Sequence, residues 1–179
     1  MTAPDPVVTP DRDVPDIPIS DATVLAGTVE LEPPVELLVP DLGIDMSIDS
    51  VGVAEDGQME VPADALRAGW YRFGPTPGQV GVAVVAAHAG SFITPRGPFY
   101  DLNRAEPGML IEVRTADGSL VTFEIAGVEV AVKDGLDLRP YFDRSGEPRL
   151  VLITCGGAWD DAAQSYRSNV IVTARLVDE

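Results

Sequence analysis

Cysteine and histidine are each present only once in this chain of 179 residues, as Cys155 and His88. A single cysteine excludes an internal disulfide framework and cannot by itself build a structural zinc site. Basic residues are also scarce: lysine and arginine together number 12 against 29 acidic residues, a formal net charge of −17. Nucleic acids and anionic membrane surfaces both select for basic patches. We therefore expect no disulfide framework and no nucleic-acid partner.

The sequence also lacks long hydrophobic runs. The longest clean one, residues 82–87, has six residues, whereas a membrane-spanning helix needs roughly 18 or more. The N-terminus has neither a basic start nor the apolar segment of a signal peptide. Neither a membrane span nor an export signal is predicted within these residues.

Residues 1–34 differ in composition from the rest of the chain. They contain seven prolines and seven acidic residues against one base, Arg12. Such a segment is too poor in apolar residues to fold alone, and its like charges favour an extended chain. We predict an acidic, Pro-rich linker over residues 1–34 and one folded domain over residues 35–179.

The folded part is predicted to be all-β. Short apolar runs bounded by Gly, Pro or Asp are typical of strands, and Asp117-Gly118 is a strong hairpin signal. About eight such runs favour an antiparallel barrel or sandwich, with short helical turns at 63–68 and 136–142. The predicted strands are 35–39, 46–53, 59–61, 82–88, 109–114, 120–133, 150–155 and 169–177.

The single cysteine and the single histidine each end an apolar strand, which is a usual position for catalytic groups. The small residues Gly156 and Gly157 after the cysteine are expected to leave room for a substrate. A thiolate is the reactive form of cysteine, and a neighbouring histidine or cation stabilises it. Arg167, at the head of the last strand, is a candidate for stabilising an oxyanion.

Each of these three residues also has an ordinary structural explanation. Free cysteine is among the most buried residue types and packs as a small hydrophobe. A lone histidine after a strand is often a hydrogen-bonded packing residue, and a lone arginine is often a surface charge. The residues alone therefore indicate a candidate Cys–His pair and leave its role open.

The stretch Leu152-Ile153-Thr154-Cys155 resembles the sortase signature Thr-Leu-x-Thr-Cys, with Val151 where that signature has its first threonine. The resemblance covers roughly Val35 to Val177, and the segments before the histidine are most similar to class F sortases of actinobacteria, with class E next. The other segments that resemble the family are 40–44, 51–57, 59–62, 69–71, 77–81, 99–102, 107–109 and 165–170.

The resemblance implies an eight-stranded sortase-type β-barrel. It implies a cysteine transpeptidase in which Cys155 is the nucleophile, His88 the general acid and base, and Arg167 the cation that binds substrate and oxyanion. The additional substrate-binding residues that we predict are Ala86, Ile153, Thr154 and Asn169.

The implied reaction cleaves a C-terminal LPxTG-like sorting motif between Thr and Gly through a thioacyl enzyme. The expected partners are proteins that carry such a sorting signal and a peptidoglycan precursor or another amine acceptor, with slow hydrolysis as a side activity. We expect a monomer that needs no cofactor and no metal. The acidic pairs Asp160-Asp161 and Asp41/Asp45 could hold calcium, as in some sortases, but we expect them to be solvated loop carboxylates. The expected location is the outer face of the cell membrane, through a transmembrane helix encoded upstream of Met1.

Two other classes of protein are alternatives to the sortase interpretation. L,D-transpeptidases also use cysteine, histidine and arginine, but their signature places these residues within a few positions, whereas Cys155 and Arg167 lie twelve apart. A non-enzymatic extracellular β-barrel or sandwich interaction module is the remaining alternative. It predicts a buried, alkylation-resistant Cys155 with no histidine or arginine within reach.

Overall fold

The computed structural model describes residues 31–177, which contain eight strands and three short 3₁₀ helices. The 3₁₀ helices are Pro40–Leu42, Pro98–Arg104 and Arg139–Phe142. The strands are β1 (Pro34–Val39), β2 (Ile44–Val51), β3 (Arg67–Tyr71), β4 (Val82–Ala86), β5 (Leu110–Thr115), β6 (Leu120–Val132), β7 (Arg149–Asp160) and β8 (Ser165–Leu176).

The strands close into a barrel in the order β1-β2-β3-β4-β7-β8-β6-β5. The β2–β3 and β4–β7 pairs are parallel, and the remaining neighbours are antiparallel. Closure removes exposed sheet edges, where unpaired backbone groups would otherwise invite aggregation. The predicted eight-stranded β-barrel with short helical turns is therefore confirmed.

Side-chain alternation gives the β4–β7–β8 region two buried faces. The inward face belongs to the main core and includes Val85 and Leu152, both fully buried. The outward face carries a second apolar cluster, with Val84, Val151 and Ile171 at its centre. Residues from the 136–142 segment pack against this outer cluster. Burying such side chains stabilises the fold by about 1.5–3 kcal/mol each, so β7 is held firmly from both sides.

Three local sequence predictions can be compared with the structure. The predicted helical turn at 63–68 is wrong in its second half, because strand β3 begins at Arg67. The predicted strand 59–61 is reduced to a single bridge between Val53 and Met59. The Asp117-Gly118 hairpin is confirmed, since β5 and β6 pair across it and Gly118 has a positive φ of 87°.

The predicted linker, residues 1–34, lies outside the described residues except for 31–34, and strand β1 begins at Pro34. Within the described part of the chain, no helix has the length and apolar character that crossing a membrane would require.

Candidate active site

The strand register brings the single cysteine and the single histidine together. Strands β4 and β7 run parallel, with Ala86 paired to Ile153. The Ala87 N–H then donates to the Ile153 carbonyl oxygen at 3.2 Å, so the pairing continues past the end of β4. Continued for two more residues, this register sets His88 opposite Cys155, and neighbouring strands lie about 4.8 Å apart. Alternation places both side chains on the outward face of the barrel.

A buried hydrogen bond fixes the two strand ends relative to each other. The Thr154 hydroxyl donates to the Ala87 carbonyl oxygen at 2.7 Å. Thr154 is only 3% exposed and points inward, opposite to the cysteine. Since Ala87 precedes the histidine and Thr154 precedes the cysteine, this contact ties together the residues that carry the candidate pair.

Strand β8 brings Asn169 and Arg167 to the same outward face. Asn169 is the direct partner of Cys155 in the antiparallel β7–β8 pair. Arg167 lies two residues earlier on β8, and its Nε donates to Asp160 Oδ2 at 3.0 Å. The arginine side chain is 65% exposed. An exposed ion pair of this kind contributes only about 0.2–1 kcal/mol, so little free energy holds the guanidinium away from a substrate.

A fourth residue, Lys133, reaches the cysteine and is absent from the sequence-based site. Its Nζ donates to Cys155 Sγ at 3.4 Å and to Ser165 Oγ at 3.0 Å. Its backbone N–H donates to the Arg167 carbonyl oxygen at 3.0 Å, which anchors the residue beside β8. Sequence spacing did not reveal this lysine, which lies 22 positions before the cysteine.

The two glycines after the cysteine have a packing role. A Cβ on Gly156 would lie 2.6 Å from Val170 Cγ2, on the inward face. Gly157 has a positive φ of 78°, and a Cβ there would lie 2.9 Å from Ser168 Oγ. The expectation that these glycines leave room for a substrate is thus corrected: their missing side chains make room for neighbouring residues of strand β8.

The environment of His88 favours the neutral imidazole. The side chain is half-buried, and this burial lowers its pKa below the ordinary 6.5, because the charged form loses hydration. A cavity of about 580 Å³ opens beside the imidazole, and its wall combines apolar and acidic side chains, among them Val51, Met59, Asp49 and Glu60.

A second cavity, of about 420 Å³, lies on the other side of the candidate pair. It is lined by residues of β8 and of the β6 and β7 ends, including Lys133, Asp160, Tyr166 and Arg167. Because the strand order here is β4-β7-β8-β6, the cysteine on β7 lies between a cavity at the histidine and a cavity at the cations. Cys155 itself belongs to the wall of neither cavity.

The other predicted substrate-binding residues occupy different environments. Ala86 is 8% exposed, and Ile153 is half-buried at the margin of the outer apolar cluster. Asn169 is half-buried beside the cysteine, whereas the Thr154 side chain is engaged inside the barrel. Their contribution to substrate binding stays a prediction.

No group of three or more His, Cys, Asp or Glu side chains within residues 31–177 is arranged to hold a metal ion. In the acidic pair Asp160-Asp161, the Asp160 carboxylate forms an ion pair with Arg167. The Asp161 carboxylate accepts a hydrogen bond from Trp159 Nε1 at 3.0 Å.

A closed eight-stranded barrel thus carries the cysteine, the histidine and two basic side chains at neighbouring strand ends. The sortase domain model matches residues 37–177, which is more than half of the chain. The protein therefore belongs to the sortase family.

Solved sortase structures share the fold. Sortase A from Corynebacterium diphtheriae superposes with a TM-score of 0.59 at 18% identity, covering 84% of this chain and 63% of that chain. Sortase C-1 from Actinomyces oris superposes with a TM-score of 0.59 at 16% identity, covering 80% of this chain and 73% of that chain. A Clostridium perfringens sortase D5 transpeptidase superposes with a TM-score of 0.58 at 17% identity, covering 80% of this chain and 78% of that chain. No curated protein sequence matches the chain.

Proposed function

We propose that this protein is a cysteine transpeptidase that cleaves an LPxTG-like sorting motif between Thr and Gly and transfers the acyl part to an amine. The observation that supports the proposal is the parallel β4–β7 register, which pairs Ala86 with Ile153, two residues before His88 and Cys155. Membership of the sortase family supports the same reaction.

In the first half of the proposed reaction, Cys155 Sγ attacks the Thr carbonyl carbon as a thiolate. The carbonyl oxygen becomes an oxyanion, which Arg167 stabilises after leaving Asp160. The C–N bond to Gly then breaks, and protonated His88 gives its proton to the departing amine. The product is a thioester between the sulfur and the sorting peptide.

In the second half, the amine of the acceptor attacks the thioester carbonyl. His88 takes a proton from this amine, and Cys155 Sγ leaves again as a thiolate. Water in place of the amine gives slow hydrolysis. The cavity beside His88 and the cavity beside Lys133 and Arg167 support this scheme, which needs room for two molecules.

The competing function, a non-enzymatic module with a buried structural cysteine, fits the site less well. It predicts a buried, alkylation-resistant cysteine with no histidine or arginine within reach. Cys155 is instead partly exposed, and the Lys133 ammonium lies 3.4 Å from its sulfur. Alkylation of the native protein separates the two functions: rapid modification by iodoacetamide supports the enzyme, and resistance until unfolding supports the module.

The experiment that tests the proposed function is mass spectrometry of the protein incubated with a library of LPxTG-like peptides and a small amine. Peptides cut after Thr and joined to the amine are expected, and Cys155→Ala is the control. A library left uncut by the wild-type protein would contradict the proposal. The preferred motif in this assay also bears on the proposed class F or class E relationship.

The proposed place of action is the outer face of the cell membrane, where sorting-signal proteins and peptidoglycan precursors meet. A tether encoded upstream of Met1 stays a prediction, and the genomic sequence upstream in frame tests it.

A further inference from the structure

The basic side chain of Lys133, which follows strand β6, contacts the cysteine. Its Nζ lies 3.4 Å from Cys155 Sγ. The Ser165 hydroxyl accepts a second hydrogen bond from the same Nζ at 3.0 Å. The lysine backbone is held in turn by the Arg167 carbonyl. Two hydrogen bonds and a paired backbone therefore direct this long side chain at the sulfur.

Composition makes the contact more informative. Of the 12 basic residues other than histidine, Lys133 is the one lysine, and the other eleven are arginines. All the remaining basic positions are thus arginines, while the one lysine of the chain contacts its one cysteine. A lysine ammonium is a compact point charge on a flexible stem, whereas arginine presents a broad planar fork. A single sulfur atom is matched better by the compact ammonium.

The other side chains near the sulfur that can carry a positive charge are paired elsewhere or mostly neutral. Arg167 pairs with Asp160 at 3.0 Å. His88, on the β4 side, has its pKa lowered by burial, so the imidazole is mostly neutral near pH 7. Asp134, next to the lysine, is exposed and lines the second cavity. A thiolate formed in the substrate-free protein therefore finds its counter-charge at the lysine.

We propose that Lys133 is the cation that stabilises the Cys155 thiolate before substrate binds, leaving Arg167 free to serve the oxyanion. This inference rests on the proposed function, because thiolate stabilisation matters to catalysis only if the cysteine is the nucleophile. When the sulfur becomes a neutral thioester, the ammonium loses its charged partner and keeps its bond to Ser165. Lys133 thus acts chiefly before acylation.

The test is the rate of Cys155 alkylation by iodoacetamide as a function of pH, followed by intact mass on the full chain. Iodoacetamide reacts with the thiolate, so the profile reports the ionised fraction without any peptide substrate. Lys133→Met removes the charge but keeps an unbranched side chain. We expect its alkylation near pH 7 to be about tenfold slower, with the profile moved to higher pH, because an opposite charge at this distance favours the ionised form.

Two further variants make the result specific. Arg139→Met lowers the positive charge by the same single unit, but among residues 31–177 this exposed arginine forms an ion pair only with Asp137, so its profile should match the wild type. Lys133→Arg keeps the charge in a broader head group and should recover part of the lost rate. Circular dichroism spectra are compared first. If Lys133→Met is misfolded, Lys133→Gln carries the test, and a wild-type alkylation profile in folded Lys133→Gln then overturns the proposal.

The outcomes for Lys133 and for the proposed function are distinguishable. An unchanged alkylation profile in folded Lys133→Met overturns the role of the lysine, whatever the peptide assay gives. Failure of the wild-type protein to transfer any peptide contradicts the proposed function and leaves the alkylation result to stand on its own. A slower, shifted profile in Lys133→Met together with a wild-type profile in Arg139→Met supports the inference.

Discussion

Replacing Thr154 by valine removes one hydroxyl and keeps the shape of the side chain. The lost contact is the buried 2.7 Å hydrogen bond to the Ala87 carbonyl oxygen. A buried acceptor left without its donor costs about 1–3 kcal/mol. At about 2–4 °C per kcal/mol for a domain of this size, a loss near 2 kcal/mol lowers Tm by about 4–8 °C. Thermal unfolding followed by circular dichroism measures this change.

The same substitution should lower peptide transfer, because it loosens the link between the residues that precede His88 and Cys155. A misplacement of about 1 Å can cost on the order of a hundredfold in rate, so we expect a fall in kcat/KM of tenfold or more. Thr173→Val, on β8, is the matched control, since no side-chain hydrogen bond of that threonine is found within residues 31–177. Wild-type Tm and transfer in Thr154→Val would refute this reasoning.

Three other predictions follow from the site. Arg167→Lys keeps the charge but loses the planar fork, so transfer should fall by about 10²–10³; wild-type turnover would make Arg167 a surface charge. The single histidine gives one imidazole NMR signal, whose titration midpoint should lie below 6.5 because burial lowers the pKa of His88, and a midpoint at or above that value would contradict the burial argument. Gly156→Ala places a Cβ 2.6 Å from Val170 Cγ2 and should lower the free energy of unfolding by about 1–3 kcal/mol; urea unfolding with an unchanged midpoint would show that the sheet accommodates the methyl group.

Most of the barrel could be predicted from local patterns. Apolar runs bounded by turn residues located seven of the eight strands, and Asp117-Gly118 identified the β5–β6 hairpin. Strand β3, Arg67–Tyr71, was missed because its alanine and glycine carry little strand signal. Its partners on both sides stabilise it instead: a Cβ on Gly69 would lie 2.9 Å from Val51 Cγ2 of β2. Such close strand packing has no signature in a short sequence window.

The candidate site was only partly predictable. Alternation along two apolar strands placed His88 and Cys155 at strand ends, and the β4–β7 register brings those ends together. The approach of Lys133 to the sulfur depends on the order β7-β8-β6, which no local pattern encodes. The Arg167–Asp160 pair likewise depends on the β7–β8 hairpin, which continues past the glycines to Asp160.

The measurement that tests the central claim most directly is the intact mass of the protein after brief mixing with an LPxTG-like peptide in the absence of amine. The account predicts an added mass equal to the peptide up to Thr, bound as a hydroxylamine-sensitive thioester at Cys155, and no such adduct in a folded Cys155→Ala variant. Peptide transfer that persists in Cys155→Ala, or an adduct mapped to another residue, would contradict the account.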